Sequence, residues 1–197
     1  MINGWGVQQI GAATMRNKVV SLRRISMDDK AGYARIAFYP EIWKYFVSII
    51  ANEGDLNTFM EQAINDSLAG TRIVFSIIEQ SSGRIAGSTA FGNLAPRERR
   101  LEIGWSWLGL EYRGTGINHA TKHLLLDYAF GTLSCERVEF KTDVLNIRAR
   151  RALQAIGATE EGTLRSFNYM PGGRRRDAVY YSILKSEWPN VRANYFS

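Results

Sequence analysis

The feature that most constrains the fold is a strand that runs through two glycines into a strong amphipathic helix. Leu101–Leu108 reads as the strand, Arg113-Gly114-Thr115-Gly116-Ile117-Asn118 as the loop, and Thr115–Phe130 carries helical periodicity. Gly114 and Gly116 have no Cβ, so successive backbone N–H groups can turn toward one point. The helix adds its own unsatisfied N–H groups and the positive end of its dipole. Together these form a cradle for an anion, phosphate above all, and Arg113 can add a charged contact. An ordinary tight turn uses the same glycines, so the loop does not decide the matter alone. It is not a P-loop, because Ile117-Asn118 follows in place of Lys-Ser/Thr, and the third glycine of the dinucleotide fingerprint is missing.

Around this core the chain reads as one α/β domain with a mixed sheet. Strands are expected at Lys18–Ile25, Arg72–Glu79, Arg84–Phe91, Leu101–Leu108, Arg137–Asp143, Gly162–Tyr169 and Asp177–Leu184. Helices are expected after Ser26, at Asp55–Leu68 before Gly70, at Thr115–Phe130, and at Asn146–Ile156 before Gly157. That gives about seven mostly antiparallel strands and about four helices. In the third helix Ile117, Ala120, Leu124 and Tyr128 form the apolar face, with Asn118, His119, Lys122, His123 and Asp127 opposite. Residues 1–17 show no period and no signal-peptide layout, and are expected to form a poorly ordered arm before a domain at 18–197.

Composition narrows the class. The 197 residues are 45% hydrophobic, which excludes a disordered chain. No run approaches the roughly 18 apolar residues of a membrane span. The single Cys135 leaves no intramolecular disulfide and no cysteine zinc cluster, so a cytoplasmic setting is expected. The net charge of +6 points to an anionic partner. No helix-turn-helix or aromatic-interleaved basic motif supports nucleic acid. From Ser134 to Arg176 nine Lys/Arg face five acidic residues, so most of the excess lies beside the proposed cradle.

The glycine segment resembles motif A of the GNAT superfamily of N-acetyltransferases. The likeness continues through Arg137-Val-Glu-Phe-Lys-Thr-Asp143, Asn146, Gly157-Ala158, Glu161-Gly162-Thr-Leu-Arg165 and Arg176-Asp177 to Tyr181-Ser182-Ile183-Leu184. Order and spacing are similar to the branch of ribosomal-protein N-terminal acetyltransferases. The resemblance implies acetyl-CoA as cosubstrate, with its pyrophosphate on Arg113, Gly114, Thr115, Gly116, Ile117 and Asn118. It implies that the pantetheine arm pairs with a strand edge near Ser106 and Leu108 and meets Asn146 from the other side. Asn146 also suits a plain helix cap. The implied acceptor is a primary amine, on a peptide or a small molecule, bound between Met27–Leu68 and Leu164–Val179. A homodimer is compatible with the family.

Two positions depart from the family pattern. Asn118 stands where Gly or Ala is usual, and Leu153, seven residues after Asn146, stands where many members carry a tyrosine that protonates the departing thiolate. A non-catalytic acyl-CoA sensor of the same fold is therefore the alternative to an enzyme. Acetyl transfer needs a neutral amine. Deprotonation at pH 7 costs a lysine of pKa about 10.4 roughly 4.6 kcal/mol, and an α-amine roughly 1 kcal/mol, so a weak base suffices for the latter. Glu102 is the expected catalytic base: strand alternation puts it on the face of Ser106 and Leu108, about 13 Å along, a reach suited to a bridging water. Glu139 and Asp143 are the other carboxylates for this role, and a solvated strand-start carboxylate is the plain alternative for Glu102. His119, His123 and Asp127 share a helix face, but no further ligand completes a metal site, and none is expected. Cys135, Trp105 and Trp107 read as packing residues, and the Arg174-Arg175-Arg176 turn as solvated surface or an anion contact.

Overall fold

The computed structural model describes residues 14–196 and, before them, Trp5, Ile10 and Ala12. Among these residues eight strands form one sheet: β1 (Met15–Arg16), β2 (Val20–Arg24), β3 (Ile73–Glu79), β4 (Ile85–Ala95), β5 (Arg100–Leu108), β6 (Arg137–Asp143), β7 (Thr159–Tyr169) and β8 (Arg175–Leu184). Their order is β1-β2-β3-β4-β5-β6-β8-β7, antiparallel except for β5 beside β6. The expected mixed α/β architecture holds, with one strand more than the seven read from sequence. The addition is β1, too short to show a period; Met15 pairs with Leu22 and Arg16 with Ser21. Within the expected 1–17 arm, Ile10 is buried and Trp5 Nε1 donates to the Leu133 carbonyl at 2.9 Å. The rest of that arm before Thr14, Ala12 apart, lies outside the described residues.

Among the described residues six α-helices occur where about four were expected: α1 (Lys30–Ala34), α2 (Pro40–Trp43), α3 (Glu53–Ala69), α4 (Ile117–Asp127), α5 (Ile147–Gln154) and α6 (Trp188–Tyr195). The first expected helix is divided, because Pro40 starts a new turn and cannot continue an old one. Helix α6 was not among the expected elements; Pro189 sits in its first turn, where the missing N–H is tolerated. Helix α3 begins two residues earlier than expected: Asn52 Oδ1 accepts from the Asp55 N–H at 3.0 Å, and Gly70, at φ 72°, closes the far end.

Helices α1 to α3 cover one face of the sheet, where Trp107 meets Tyr33, Trp43 and Phe59 with ring centroids 5.0–6.3 Å apart. Helices α4 and α5 cover the other, over Phe91, Phe140 and Tyr181. No helix among the described residues is long and apolar enough to cross a membrane.

Candidate active site

Two neighbouring strands that part company make the site. Parallel β5 and β6 pair only at Arg100–Arg137, Leu101–Val138 and Glu102–Glu139. Beyond Glu102, β6 continues against β8 through Asp143, while β5 runs on to Leu108 held only by β4. The edge of β5 from Ile103 to Leu108 therefore faces an opening, with unpaired backbone groups able to take an extended ligand as an added strand. Ser106 and Leu108 lie on this edge.

The edge leads into the glycine loop. Gly114 and Gly116 hold φ of 77° and 86°, the left-handed region that L side chains resist, and no atom lies within 4 Å of where a Cβ would project from either. That open space sits over the N-terminus of α4, whose first residues are Ile117 and Asn118. Thr115 Oγ1 donates to the Tyr112 carbonyl at 2.8 Å, pinning the loop between its glycines. Arg113 is half-buried beside Arg148, and both burial and that like charge act against its own charge. Two cations brought together at the mouth of an open backbone cradle suit a polyanion. The residues present thus fit a CoA phosphate arm. Asn146 caps α5, its Oδ1 accepting from the Ala149 N–H at 3.2 Å, so the plain cap role is occupied.

One expectation about faces is overturned. Trp105, at φ 52°, opens a bulge in β5: Ala90 pairs with Gly104 and Ser88 with Trp107, so two β5 residues oppose Thr89. The extra residue reverses the alternation. Trp105 lies against Gly92, the partner of Glu102, whereas Ser106 points to α4, where the Lys122 ammonium donates to its Oγ at 2.8 Å. Glu102 and Ser106 therefore face opposite sides of the sheet. A strand sequence does not show a bulge whose extra residue is a tryptophan.

Glu102 is only 3% exposed, at the apex where the strands separate. Asn93, which adopts φ 46° at a second register shift, donates from Nδ2 to Glu102 Oε2 at 2.7 Å. Lys141 Nζ lies 3.5 Å from the same oxygen and stacks over Phe167 and Tyr180. Arg176 and Asp143 complete this side, and Arg174 pairs with the fully buried Asp143. A cavity of about 170 Å³ opens between α2 and the β7–β8 turn, walled by Trp43, Phe46, Ile49 and Met170, with Arg174 at its edge. Its lining comes from both segments, Met27–Leu68 and Leu164–Val179, between which the resemblance places an acceptor.

On the α4 side, Lys122 was expected on the polar face of its helix and is instead 5% exposed. Burial without an ion pair pushes its ammonium down to about 7. It lies over the Phe140 ring, and Ser106 Oγ in turn bonds Thr89 Oγ1 at 2.7 Å. Leu125 and Leu126, three and four residues further on and both buried, were the sequence signal for this placement. Sequence reasoning also missed Asn93 and Lys141, which reach Glu102 from separate strands.

Other candidates are used elsewhere. His123 lies 3.1 Å from Asp127 and stacks on Phe196, and His119 Nε2 bonds the Tyr195 carbonyl, so this face of α4 docks α6. Burial pushes the Cys135 thiol up to about 12, which suits an inert core residue. Leu153 is buried in the core and offers no exchangeable proton.

Comparison with known proteins agrees with this geometry. The acetyltransferase (GNAT) domain family matches residues 20–159. YdaF of Bacillus subtilis, named as a candidate ribosomal N-acetyltransferase, is 39% identical over 106 residues, 54% of this chain and 57% of that protein. A crystal structure described as a candidate acetyltransferase from T. thermophilus is 32% identical with a TM-score of 0.83, covering 91% of this chain and 93% of that one. Mycobacterium smegmatis RimJ, solved with CoA-disulfide, is 23% identical with a TM-score of 0.76 and 92% coverage of both chains. A parting pair of parallel strands, a left-handed glycine loop on a helix N-terminus and a family match across both make one conclusion: the chain belongs to the GNAT family of acetyltransferases and is an acyltransferase.

Proposed function

We propose that the protein moves the acetyl group of acetyl-CoA to a primary amine, with a peptide α-amine as the favoured acceptor, by direct attack in a ternary complex. The transferase unit in this reading spans residues 18–197. The observation that carries it is the open β5 edge running from Glu102 to the left-handed glycines at 114 and 116. Support for a peptide acceptor comes from the ribosomal N-acetyltransferase name of YdaF, and for CoA from the CoA-disulfide complex of RimJ.

In this reading the backbone N–H groups of residues 113–118 and the Arg113 and Arg148 charges hold the phosphates. The β5 edge at Ser106 and Leu108 orients the pantetheine by strand addition, which fixes the thioester near the bulge. Glu102, one oxygen fixed by Asn93, takes the proton lost from the attacking amine, directly or through a water. The amine nitrogen forms its bond to the acetyl carbon, the carbon–sulfur bond breaks, and the sulfur leaves as thiolate. Lys122 lies behind the strand that carries the thioester, where its protonated form lowers the cost of forming that leaving anion.

The test is thiol release from acetyl-CoA across peptides, free amino acids, polyamines and amino sugars, followed by the mass of each product. Expected is acetylation of at least one amine well above thioester hydrolysis. Thiol release at the hydrolytic rate with every amine contradicts the proposal.

A further inference from the structure

Arg176 is an unusual residue for the rim of a hairpin. It sits on β8 opposite Asn168 of β7 and is only 8% exposed. Its Nε is buried without a partner, and among the described residues its guanidinium makes no hydrogen bond and no ion pair. Its one ring contact is Phe167, at 6.0 Å. A guanidinium carries five donors in a rigid fork, and burying it unsatisfied is costly unless something else completes it.

The acids nearby are already taken. Asp143 pairs with Arg174, and Glu102 is held by Lys141 and Asn93. Asp143 and Glu102 lie close enough to favour the Arg176 charge, while burial and Arg174 oppose it. Arg176 shares its side of the sheet with Glu102, Lys141, Phe167 and Tyr180, the side that carries the acceptor elements. A free fork beside the base thus faces the incoming amine's own neighbourhood.

We propose that Arg176 recognises the acceptor by receiving an oxygen close to the reacting nitrogen, the carbonyl or carboxylate of an α-amino acyl group. This rests on the acetyl-transfer reading of the cleft. It selects peptides and amino acids over polyamines and amino sugars. Polyamines carry further ammonium groups into a surface where Lys141, Arg174 and Arg176 converge and both buried carboxylates are engaged, and a simple amino sugar offers hydroxyls in place of a carbonyl or carboxylate. The peptide carbonyl and the free carboxylate offer the same chemistry, and the acceptors tested below separate them.

The test compares the wild-type chain, Arg176→Met and Arg176→Lys at saturating acetyl-CoA. The acceptors are hexapeptides starting with Ala, Ser or Met, the corresponding free amino acids, propylamine, spermidine and glucosamine. For wild type, kcat/KM is expected to be at least about tenfold higher for acceptors carrying the oxygen, the scale of a charged hydrogen bond. Arg176→Met should raise the KM of those acceptors about tenfold or more. Its kcat and its affinity for acetyl-CoA should stay within about twofold of wild type. Arg176→Lys should recover part of the loss, which also covers the case in which the Met variant does not fold. Preference for hexapeptides identifies the carbonyl as the group received, preference for free amino acids the carboxylate, and either supports the proposal. An unchanged acceptor KM in both variants, or propylamine, spermidine or glucosamine outrunning every acceptor with a carbonyl or carboxylate beside its amine, overturns it. Wild type that binds no acetyl-CoA, or acetylates no amine, instead overturns the transfer reading beneath it.

Discussion

On the acetyl-transfer reading proposed above, the cleft has a donor half and an acceptor half, and the two are built by different means. The donor half is backbone: an open strand edge, two left-handed glycines and a helix N-terminus within residues 103–118. The acceptor half is side chain: Glu102 from β5, Asn93 from β4, Lys141 from β6, Phe167 from β7 and Arg176 from β8. A backbone site tolerates changes in its side chains while its conformations persist. A side-chain site changes its preference with each substitution. The difference explains how one fold can keep a cosubstrate and exchange its acceptors.

The sharpest way to break the comparison is at Glu102, the acceptor-side residue nearest the donor half. Glu102→Gln keeps the volume and the Asn93 contact in reach but removes the proposed base. Turnover should fall on the order of 100-fold or more, with acetyl-CoA affinity unchanged in a calorimetric titration. Wild-type turnover across the pH range would remove Glu102 from the chemistry.

A second variant addresses the donor half alone. Gly116→Val forces a branched side chain to φ 86° and pushes its Cβ into the open space over α4. Strain should cost about 1–2 kcal/mol of stability in a denaturant titration. Acetyl-CoA affinity should fall far more, on the order of 100-fold, about 2.7 kcal/mol. Equal small losses in both would mean that the loop is only a turn.

This asymmetry also governs what the sequence could show. Gly114 and Gly116 announce themselves because few residues other than glycine hold such conformations, and their spacing before Ile117 is local. Strand and helix order followed from periodicity for the same local reason. The Trp105 bulge left no mark, because the residue in the left-handed conformation is a tryptophan, and so the Glu102 and Ser106 faces were read as one. The acceptor half depended on pairings across β4, β5, β6, β7 and β8, and Arg176 was legible only as one of three consecutive arginines.

The smallest expected effect concerns Lys122, on the donor side but with its amine buried. Its ammonium titrates near 7 in the fold and near 10.4 in the unfolded chain. Between these values the unfolded chain holds a proton that the native state has released, so this group adds stability as pH rises from about 7 to 10. Below pH 7 the full cost of burying the charge is present. Lys122→Met should therefore stabilise the protein at pH 6, by on the order of 2 kcal/mol after loss of the Ser106 hydrogen bond. The gain should shrink toward zero or reverse by pH 10 in chemical denaturation. A pH-independent difference would place the lysine in contact with water.

The division between a backbone donor site and a side-chain acceptor site is tested most directly by calorimetric titration of acetyl-CoA into wild type, Gly116→Val, Glu102→Gln and Arg176→Met. The account predicts one binding site per chain, the wild-type Kd in the last two variants, and a Kd weaker on the order of 100-fold in Gly116→Val alone. Wild-type affinity in Gly116→Val, or equal weakening in all three variants, would contradict it.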